Sequence, residues 1–146
     1  MSFKEVDFFS ACDISRIPGQ SDAIVISVRN PNEEKASIQD GFKDVLHLEF
    51  DNITHLSEKV TGIRFSLSHA QEVLAFLNKH VDTGCKVLVN CTYGESRSAG
   101  IAFYIALTYG LDIDDGKLAF MNHWVVHVLE RAEEQAQMHQ ALPAAA

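Results

Sequence analysis

The chain has 146 residues, of which 47% are hydrophobic and 22% are charged, and 20 acidic against 12 basic residues give a net charge of −8. This length and composition fit one domain over residues 1–146 with a core that needs neither disulfides nor metal, and they exclude disordered and fibrous chains. The negative charge works against non-specific attraction to nucleic acid, and no apolar run approaches the roughly 20 residues of a membrane span, so we expect neither a nucleic-acid partner nor a membrane association.

The first third of the chain contains three predicted strands. Residues 6–11 form a short apolar stretch, and residues 23–28 are a nearly continuous run of β-branched and apolar residues, which is typical of a strand buried on both faces. Residues 45–50 alternate between apolar and polar, which indicates a strand near an edge of the sheet. Polar segments that contain Pro18-Gly19 and Asn30-Pro31-Asn32 separate the three strands.

The rest of the chain alternates helices with one more strand. Ser68 and Gln71 form a capping-box pattern, and apolar residues recur at helical spacing after them until Gly84 stops the helix. The remaining predicted elements are a buried strand over 86–90, a helix over 99–111, helical stretches at about 114–122 and 123–138, and a frayed tail from about residue 139. Strands alternating with helices predict an α/β domain with a central, mostly parallel sheet of about four to five strands flanked by helices.

The three cysteines, Cys12, Cys85 and Cys91, are an odd number and do not make a disulfide framework. Because no signal peptide is recognisable, we expect a cytoplasmic protein. Cys85 and Cys91 lie at opposite ends of one predicted strand, roughly 20 Å apart and therefore beyond disulfide reach. A regulatory disulfide between Cys12 and Cys91 stays an alternative.

The segment from Cys91 to Ser98 is a polar loop between the buried strand over 86–90 and the helix that follows. Ligands of open α/β sheets bind at such strand ends, and a helix N-terminus favours both a bound anion and a thiolate. We therefore expect the pKa of Cys91 to lie below the value of about 8.5 for a free cysteine. Arg97 supplies a planar fork that matches two oxygens of a tetrahedral anion, and Gly94 permits the backbone torsions that turn N–H groups inward.

This loop resembles the active-site loop of the cysteine-dependent protein tyrosine phosphatases, in particular their dual-specificity-like branch. The family pattern is Cys, five residues, Arg, then Ser or Thr, and this chain also has the family's glycine, Gly94, at the third position after the cysteine. The likeness covers residues 45–111. It implies a protein tyrosine phosphatase-like fold, hydrolysis of phosphomonoesters on a phosphorylated protein or peptide, and no requirement for a metal or an organic cofactor.

The resemblance also implies a role for each residue of the loop. Cys91 would attack phosphorus to form a phosphocysteine, and Ser98 would hydrogen-bond the sulfur and help it leave. The guanidinium of Arg97 and the backbone N–H groups of the loop would hold the phosphate oxygens. The phosphate-binding residues are then Thr92, Tyr93, Gly94, Glu95, Ser96 and Arg97, with the carboxylate of Glu95 expected to point to solvent.

The family usually supplies the proton for the leaving oxygen from an aspartate some tens of residues before the cysteine. Asp51 is our candidate, because it directly follows the strand over 45–50 at the end of the sheet that carries the Cys91 loop. Asp40 and Asp44 precede that strand, and Asp82 lies near the far end of a helix. The alternative is that Asp51 is only a structural turn residue.

Asn90 departs from the family, which nearly always has histidine immediately before the cysteine. Asparagine cannot carry a positive charge, so we expect a smaller depression of the pKa of Cys91 or a slower enzyme. The same departure leaves open a catalytically weak or dead module that only binds phosphate. A phosphatase of RNA 5′ ends or of small metabolites is a further alternative, whereas sulfur transfer, which uses shorter loops, fits poorly.

His123 and His127 lie one helical turn apart and could ligate zinc. No glutamate follows His123 as in metalloprotease helices, and no third ligand is evident. We therefore expect no metal site. Members of the family that dephosphorylate inositol lipids tend to carry lysines in this loop, and none occurs between Cys91 and Arg97, so the resemblance argues against inositol lipids as substrates.

Overall fold

A computed structural model describes residues 2–54 and 61–141 of the chain. The elements alternate between strands and helices, as the sequence predicts. The strands are β1 (Glu5–Ser10), β2 (Ala23–Arg29), β3 (Asp44–Glu49) and β4 (Lys86–Cys91). The helices are α1 (Ala11–Ile14), α2 (Leu67–His80), α3 (Arg97–Tyr109) and α4 (His123–Ala141), with short 3-10 turns at Val81–Thr83 and Asp115–Leu118.

The four described strands form one sheet in the order β1-β4-β2-β3, and every neighbouring pair is parallel. The predicted α/β class and parallel sheet are therefore confirmed. β2 lies in the middle and six of its seven residues are buried, as its β-branched run predicts. β3 lies at an edge and is mostly half-buried, which agrees with its alternating pattern.

The sheet has a large and a small apolar face. Ile24, Ile26 and Val28 of β2 point into the main core, which α2, α3 and α4 cover. Ala23 and Val25 point to the opposite face, where α1 and the β2–β3 loop cover a smaller cluster. Because parallel strands point the same way, the ends of β2, β3 and β4 bring their following loops to one edge of the sheet.

The start of α2 differs from the prediction by two residues. The helix begins at Leu67, and the residue that caps it is Ser66, not Ser68. The Ser66 hydroxyl accepts from the backbone N–H of His69, and His69 Nδ1 accepts from the backbone N–H of Ser66 at 3.0 Å. The predicted pair of Ser68 with Gln71 is therefore wrong, because an imidazole takes the place that Glu or Gln usually fills in a capping box.

The predicted helix over 114–122 is also wrong. Only Asp115–Leu118 form a 3-10 turn, which the side chain of Asp114 caps by accepting from the backbone N–H of Gly116 at 2.9 Å. Residues 119–122 then run as a non-helical segment into α4. Phe120, in this segment, is 70% exposed.

The last helix, α4, continues to Ala141, past the predicted end at residue 138 and the predicted fraying point at 139. Residues 142–146 of the predicted tail lie outside the described part of the chain. None of the helices in the described ranges has the length and apolarity that a membrane crossing requires.

Candidate active site

Cys91 is the last residue of β4, and its side chain lies at the start of α3. The residue is 2% exposed, and its Sγ lies 3.0 Å from the hydroxyl of Ser98 in the first turn of that helix. The helix begins at Arg97, two residues earlier than predicted. The end of β4 therefore places the sulfur beside the N-terminus of α3, where the first N–H groups have no partner within the helix.

The surroundings of the sulfur favour its ionised form. Burial opposes ionisation and is the largest single influence, but hydrogen bonds from the side chain and backbone N–H of Ser98 and from the backbone N–H of Gly94 outweigh it, and the positive charge of Arg97 adds to them. The pKa of Cys91 is therefore lowered from its ordinary value. A thiolate at this position is a ready nucleophile.

Replacing Ser98 by alanine should raise the pKa of Cys91, because the change removes the hydroxyl that stabilises the thiolate. Less thiolate would then exist at mildly acidic pH, so the alkylation of Cys91 would shift to higher pH. Iodoacetamide labelling against pH, read by mass spectrometry of the Cys91 peptide, measures the shift. The denatured wild-type chain gives the reference titration, and a native Cys91 that titrates like it would contradict the activation described above.

Arg97 is 3% exposed, and three of its N–H bonds are donated to the protein. Nη1 donates to the side-chain oxygen of Asn30 and to the carbonyl of Phe50, both at 2.7 Å. Nη2 donates to the hydroxyl of Thr92 at 3.2 Å. The guanidinium is thus fixed beside the cavity that it lines.

Gly94 has φ +71°, a conformation that other residues rarely adopt. A Cβ added there would lie 2.3 Å from the backbone nitrogen of Ser10, at the end of β1. The carbonyl of Thr92 also accepts from the backbone N–H of Ala11 at 3.2 Å. The loop therefore packs directly against the junction of β1 and α1, and glycine is needed for both the torsion and the close approach.

A cavity of about 390 Å³ opens above the sulfur. Phe120 and Met121 form an apolar side, and Tyr93, which is 81% exposed, stands at the rim. The cavity is lined by Asn52, Cys91, Tyr93, Glu95, Ser96, Arg97, Ala119, Phe120, Met121 and His123. It therefore offers a cation and a sulfur at the loop and an apolar surface next to them.

The predicted loop residues fall into two groups. Tyr93 and Glu95 are exposed and line the cavity. Thr92 does not line the cavity, because its hydroxyl donates to Glu33 at 3.0 Å and accepts from Arg97. Its contribution to anion binding would therefore come from the backbone N–H.

Asp51 is close to the site but does not line the cavity. Its Oδ2 accepts from the backbone N–H of Ile63, and its own N–H donates to the carbonyl of Ile63, both at 2.7 Å. The carboxylate therefore links the end of β3 to residue 63. The next residue, Asn52, lines the cavity instead.

Two asparagines that the sequence reasoning missed hold the loop from outside. Asn52 Oδ1 accepts from the hydroxyl of Ser96 and from Nδ2 of Asn122, both at 2.9 Å. Asn122 is fully buried, and its backbone N–H also donates to the carbonyl of Ser96 at 3.0 Å. Asn122 lies directly before α4, and no motif or spacing in the sequence connects it with the loop over 91–98.

Asn90 is fully buried and lies on the opposite face of β4 from Cys91. Neither atom of its amide has a hydrogen-bond partner within the described ranges. Its register partners on the two adjacent strands are Phe9 of β1 and Ser27 of β2. The side chain therefore makes no described hydrogen bond to the loop over 91–98.

The two histidines considered as zinc ligands lie in different surroundings. His123 lines the cavity above Cys91, and His127 lies against the ring of Trp124, with the ring centres 5.6 Å apart. Residues 2–54 and 61–141 contain no group of three or more side chains that could hold a metal ion. The described cysteines are all free, and Cys12 is exposed on α1.

The fold, but not the sequence as a whole, is similar to known proteins. No protein-family model matches the chain, and neither does any curated protein. The crystal structure of human DUSP28 superposes with a TM-score of 0.57 at 17% identity, over 95% of this chain and 99% of that one. The human tyrosine phosphatase-like serine/threonine/tyrosine-interacting protein superposes with a TM-score of 0.50 at 22% identity, over 79% of this chain and 78% of that one. The chain therefore has the fold of the dual-specificity branch of the protein tyrosine phosphatases, as its loop motif implies.

Proposed function

We propose that the protein hydrolyses phosphomonoesters through a phosphocysteine on Cys91, with a phosphorylated protein or peptide as its substrate and the cytoplasm as its location. The observation that carries the proposal is the position of the Cys91 sulfur, which is buried at the N-terminus of α3 and lies 3.0 Å from the hydroxyl of Ser98. The lowered pKa of Cys91 agrees with this geometry. Burying a charged group costs free energy unless hydrogen bonds replace its lost contacts with water. A cysteine whose surroundings stabilise a buried thiolate is therefore typical of a functional site and not of an inert position. The phosphatase fold of the chain supports the same reaction.

In the first step, the thiolate of Cys91 attacks phosphorus, so the S–P bond forms while the P–O bond to the leaving group breaks. Arg97 and the N–H groups of the loop would stabilise the charge that spreads over the three equatorial oxygens. A proton donor converts the leaving oxygen into a hydroxyl. In the second step, water attacks phosphorus, its proton returns to the donor, and the hydroxyl of Ser98 stabilises the departing thiolate.

Asp51 is the proposed proton donor, and His123 is the alternative that its position in the cavity favours. Asp51 would have to exchange the N–H of Ile63 for the leaving oxygen. His123 needs no such exchange, because its ring already lines the cavity. The two assignments predict different variants as defective.

Replacing Asp51 by asparagine should slow hydrolysis of an alkyl phosphate about 100-fold and remove the fall in rate on the basic side of the pH profile. An amide oxygen can still accept from Ile63, so the local geometry is retained. Hydrolysis of p-nitrophenyl phosphate should change less, because p-nitrophenolate leaves without a proton. An Asp51→Asn enzyme with the wild-type pH profile, together with a His123→Gln enzyme that lacks the basic limb, would assign the proton to His123 instead.

A phosphate-binding module without turnover is the second candidate, and Asn90 favours it. The side chain is buried without a described partner and lies away from the loop, so it cannot orient the loop by a hydrogen bond seen here. Such a module would bind orthophosphate and phosphopeptides but release no phosphate from them. The apolar side of the cavity would then serve recognition alone.

Incubation with p-nitrophenyl phosphate, followed by rapid acid quenching, tests the proposal. We expect steady release of p-nitrophenol and a phosphate adduct on the Cys91 peptide in the mass spectrum. Phosphate binding without turnover would instead establish the binding module. Turnover without any adduct on Cys91 would contradict the covalent mechanism, and a panel of phosphotyrosine and phosphoserine peptides then ranks substrates.

A further inference from the structure

The segment from Asn30 to Glu33 is a tight turn that follows β2. The backbone N–H of Glu33 donates to the carbonyl of Asn30 at 3.1 Å, Pro31 is the second residue, and Asn32 has φ +71°. This combination is typical of a type II turn, in which the third residue must adopt a positive φ. The side chain of Asn30 also donates to Glu33 Oε2 at 3.1 Å, so the turn is closed twice.

Both ends of this turn contact the phosphate-binding loop. Asn30 Oδ1 accepts from Nη1 of Arg97 at 2.7 Å. Glu33 Oε1 accepts from the hydroxyl of Thr92 at 3.0 Å, and the same hydroxyl accepts from Nη2 of Arg97. The turn therefore fixes the guanidinium at two of its three nitrogens, directly through Asn30 and through one intervening hydroxyl from Glu33.

These contacts determine which N–H bonds of Arg97 are left for a ligand. Nη1 uses both of its hydrogens, on Asn30 and on Phe50, and Nη2 uses one, on Thr92. Of the five N–H bonds of a guanidinium, Nε–H and one Nη2–H then have no acceptor in the described parts of the chain. Two such donors match two oxygens of a tetrahedral anion, and Arg97 lines the cavity above Cys91.

We propose that Asn30 is a positioning residue, which holds Arg97 in the orientation that an oxyanion requires before the anion binds. The proposal rests on the proposed function of the site and adds a residue to it that lies 61 positions before the cysteine. A donor that is already oriented needs no rearrangement when charge develops in the transition state. The Asn30–Glu33 turn is thus part of the anion site although it touches no substrate.

The effect of replacing Asn30 by alanine should be visible in both binding and turnover. We expect the affinity for orthophosphate to fall about tenfold and kcat/KM for p-nitrophenyl phosphate to fall about tenfold or more, because a half-buried hydrogen bond to a charged group is lost. The iodoacetamide titration of Cys91 should change little, since the charge of Arg97 is the smallest of the influences on that thiol. A general loosening of the loop would shift that titration as well.

A matched control lies in the β2–β3 loop, which also contains Asn30. Gln39 donates to the carbonyl of Ser15 at 3.0 Å and has no described contact with Arg97, so Gln39→Ala removes a loop hydrogen bond without touching the guanidinium. Calorimetry with orthophosphate compares the two variants with the wild type. The Asn30→Ala change is then repeated in an Arg97→Lys background, where it should have no further effect on orthophosphate affinity.

Equal orthophosphate affinity for Asn30→Ala and Gln39→Ala, or a full effect of Asn30→Ala in the Arg97→Lys background, would overturn the proposal. If Asn30→Ala does not fold, Glu33→Gln takes its place, with an expected loss of about threefold because the carboxylate that accepts from both Asn30 and Thr92 is replaced by an amide with one acceptor oxygen, while the direct contact of Asn30 with Arg97 remains. A wild type that binds orthophosphate but hydrolyses nothing would refute the proposed function and leave the positioning role testable by binding. A wild type that binds no orthophosphate refutes both.

Discussion

Replacing Cys91 by serine is expected to lower the turnover of p-nitrophenyl phosphate about 10⁵-fold, an effect of the size seen when an activated nucleophile is removed. The loop stabilises a thiolate through Ser98 and Gly94 and through the charge of Arg97. A serine hydroxyl stays protonated there at neutral pH, and its oxygen would be a poor leaving group in the second step. Steady-state release of p-nitrophenol measures the loss.

The Cys91→Ser variant should still fold and bind orthophosphate, since the backbone N–H groups and Arg97 remain in place. Cys12→Ser is the matched control, because Cys12 is exposed on α1 and should retain full activity. Turnover by Cys91→Ser within about tenfold of the wild type would contradict the assignment of the nucleophile, since that corresponds to only ~1.4 kcal/mol of activation free energy.

Arg97→Lys is expected to lower kcat/KM for p-nitrophenyl phosphate about 10³-fold, although the positive charge is retained. An ammonium cannot present two parallel N–H bonds to phosphate while it also donates to Asn30, Thr92 and the carbonyl of Phe50. The loss of one preorganised oxyanion donor lowers kcat by about 10² to 10³, and Arg97 supplies more than one. Steady-state kinetics measures the loss.

The same variant should lower the free energy of unfolding by about 2 kcal/mol, because an ammonium cannot serve the buried carbonyl of Phe50 and the half-buried side chains of Asn30 and Thr92 together. Urea denaturation measures that change. Arg16→Lys is the control, since Arg16 is exposed and its replacement should alter neither quantity. An Arg97→Lys enzyme with wild-type kcat/KM would show that the guanidinium does not contact the phosphate.

Most of the fold could be predicted because burial leaves a clear pattern in the strands. The β-branched run at residues 23–28 and the alternation at 45–50 gave a central strand and an edge strand, and both are found. The helix boundaries in polar segments were predicted less accurately than the strands. The N-terminal cap of α2 uses the imidazole of His69 in place of the usual Glu or Gln. Residues 114–122 were expected to be helical, but only Asp115–Leu118 form a 3-10 turn, which Asp114 caps.

The candidate site divides in the same way. Cys91, Gly94, Arg97 and Ser98 are contiguous, so one motif contains the sulfur and its immediate partners. Asn30, Asn52 and Asn122 are brought to the loop by tertiary structure from three distant segments, and side-chain amides have no spacing that marks them in advance. The exposure of Phe120 beside the cavity could not be predicted from the sequence either.

The hydrogen-bond partners of the Arg97 guanidinium make its orientation depend on the folding of distant segments of the chain. Two of its acceptors lie 67 and 47 residues earlier, on Asn30 and Phe50, beyond strands that must pair before these groups can meet. A chain in which only the last helices have formed therefore contains the complete motif, but its arginine lacks the acceptors on Asn30 and Phe50. The orientation of the guanidinium is in this sense a property that the assembled sheet confers and that the eight-residue loop cannot acquire alone.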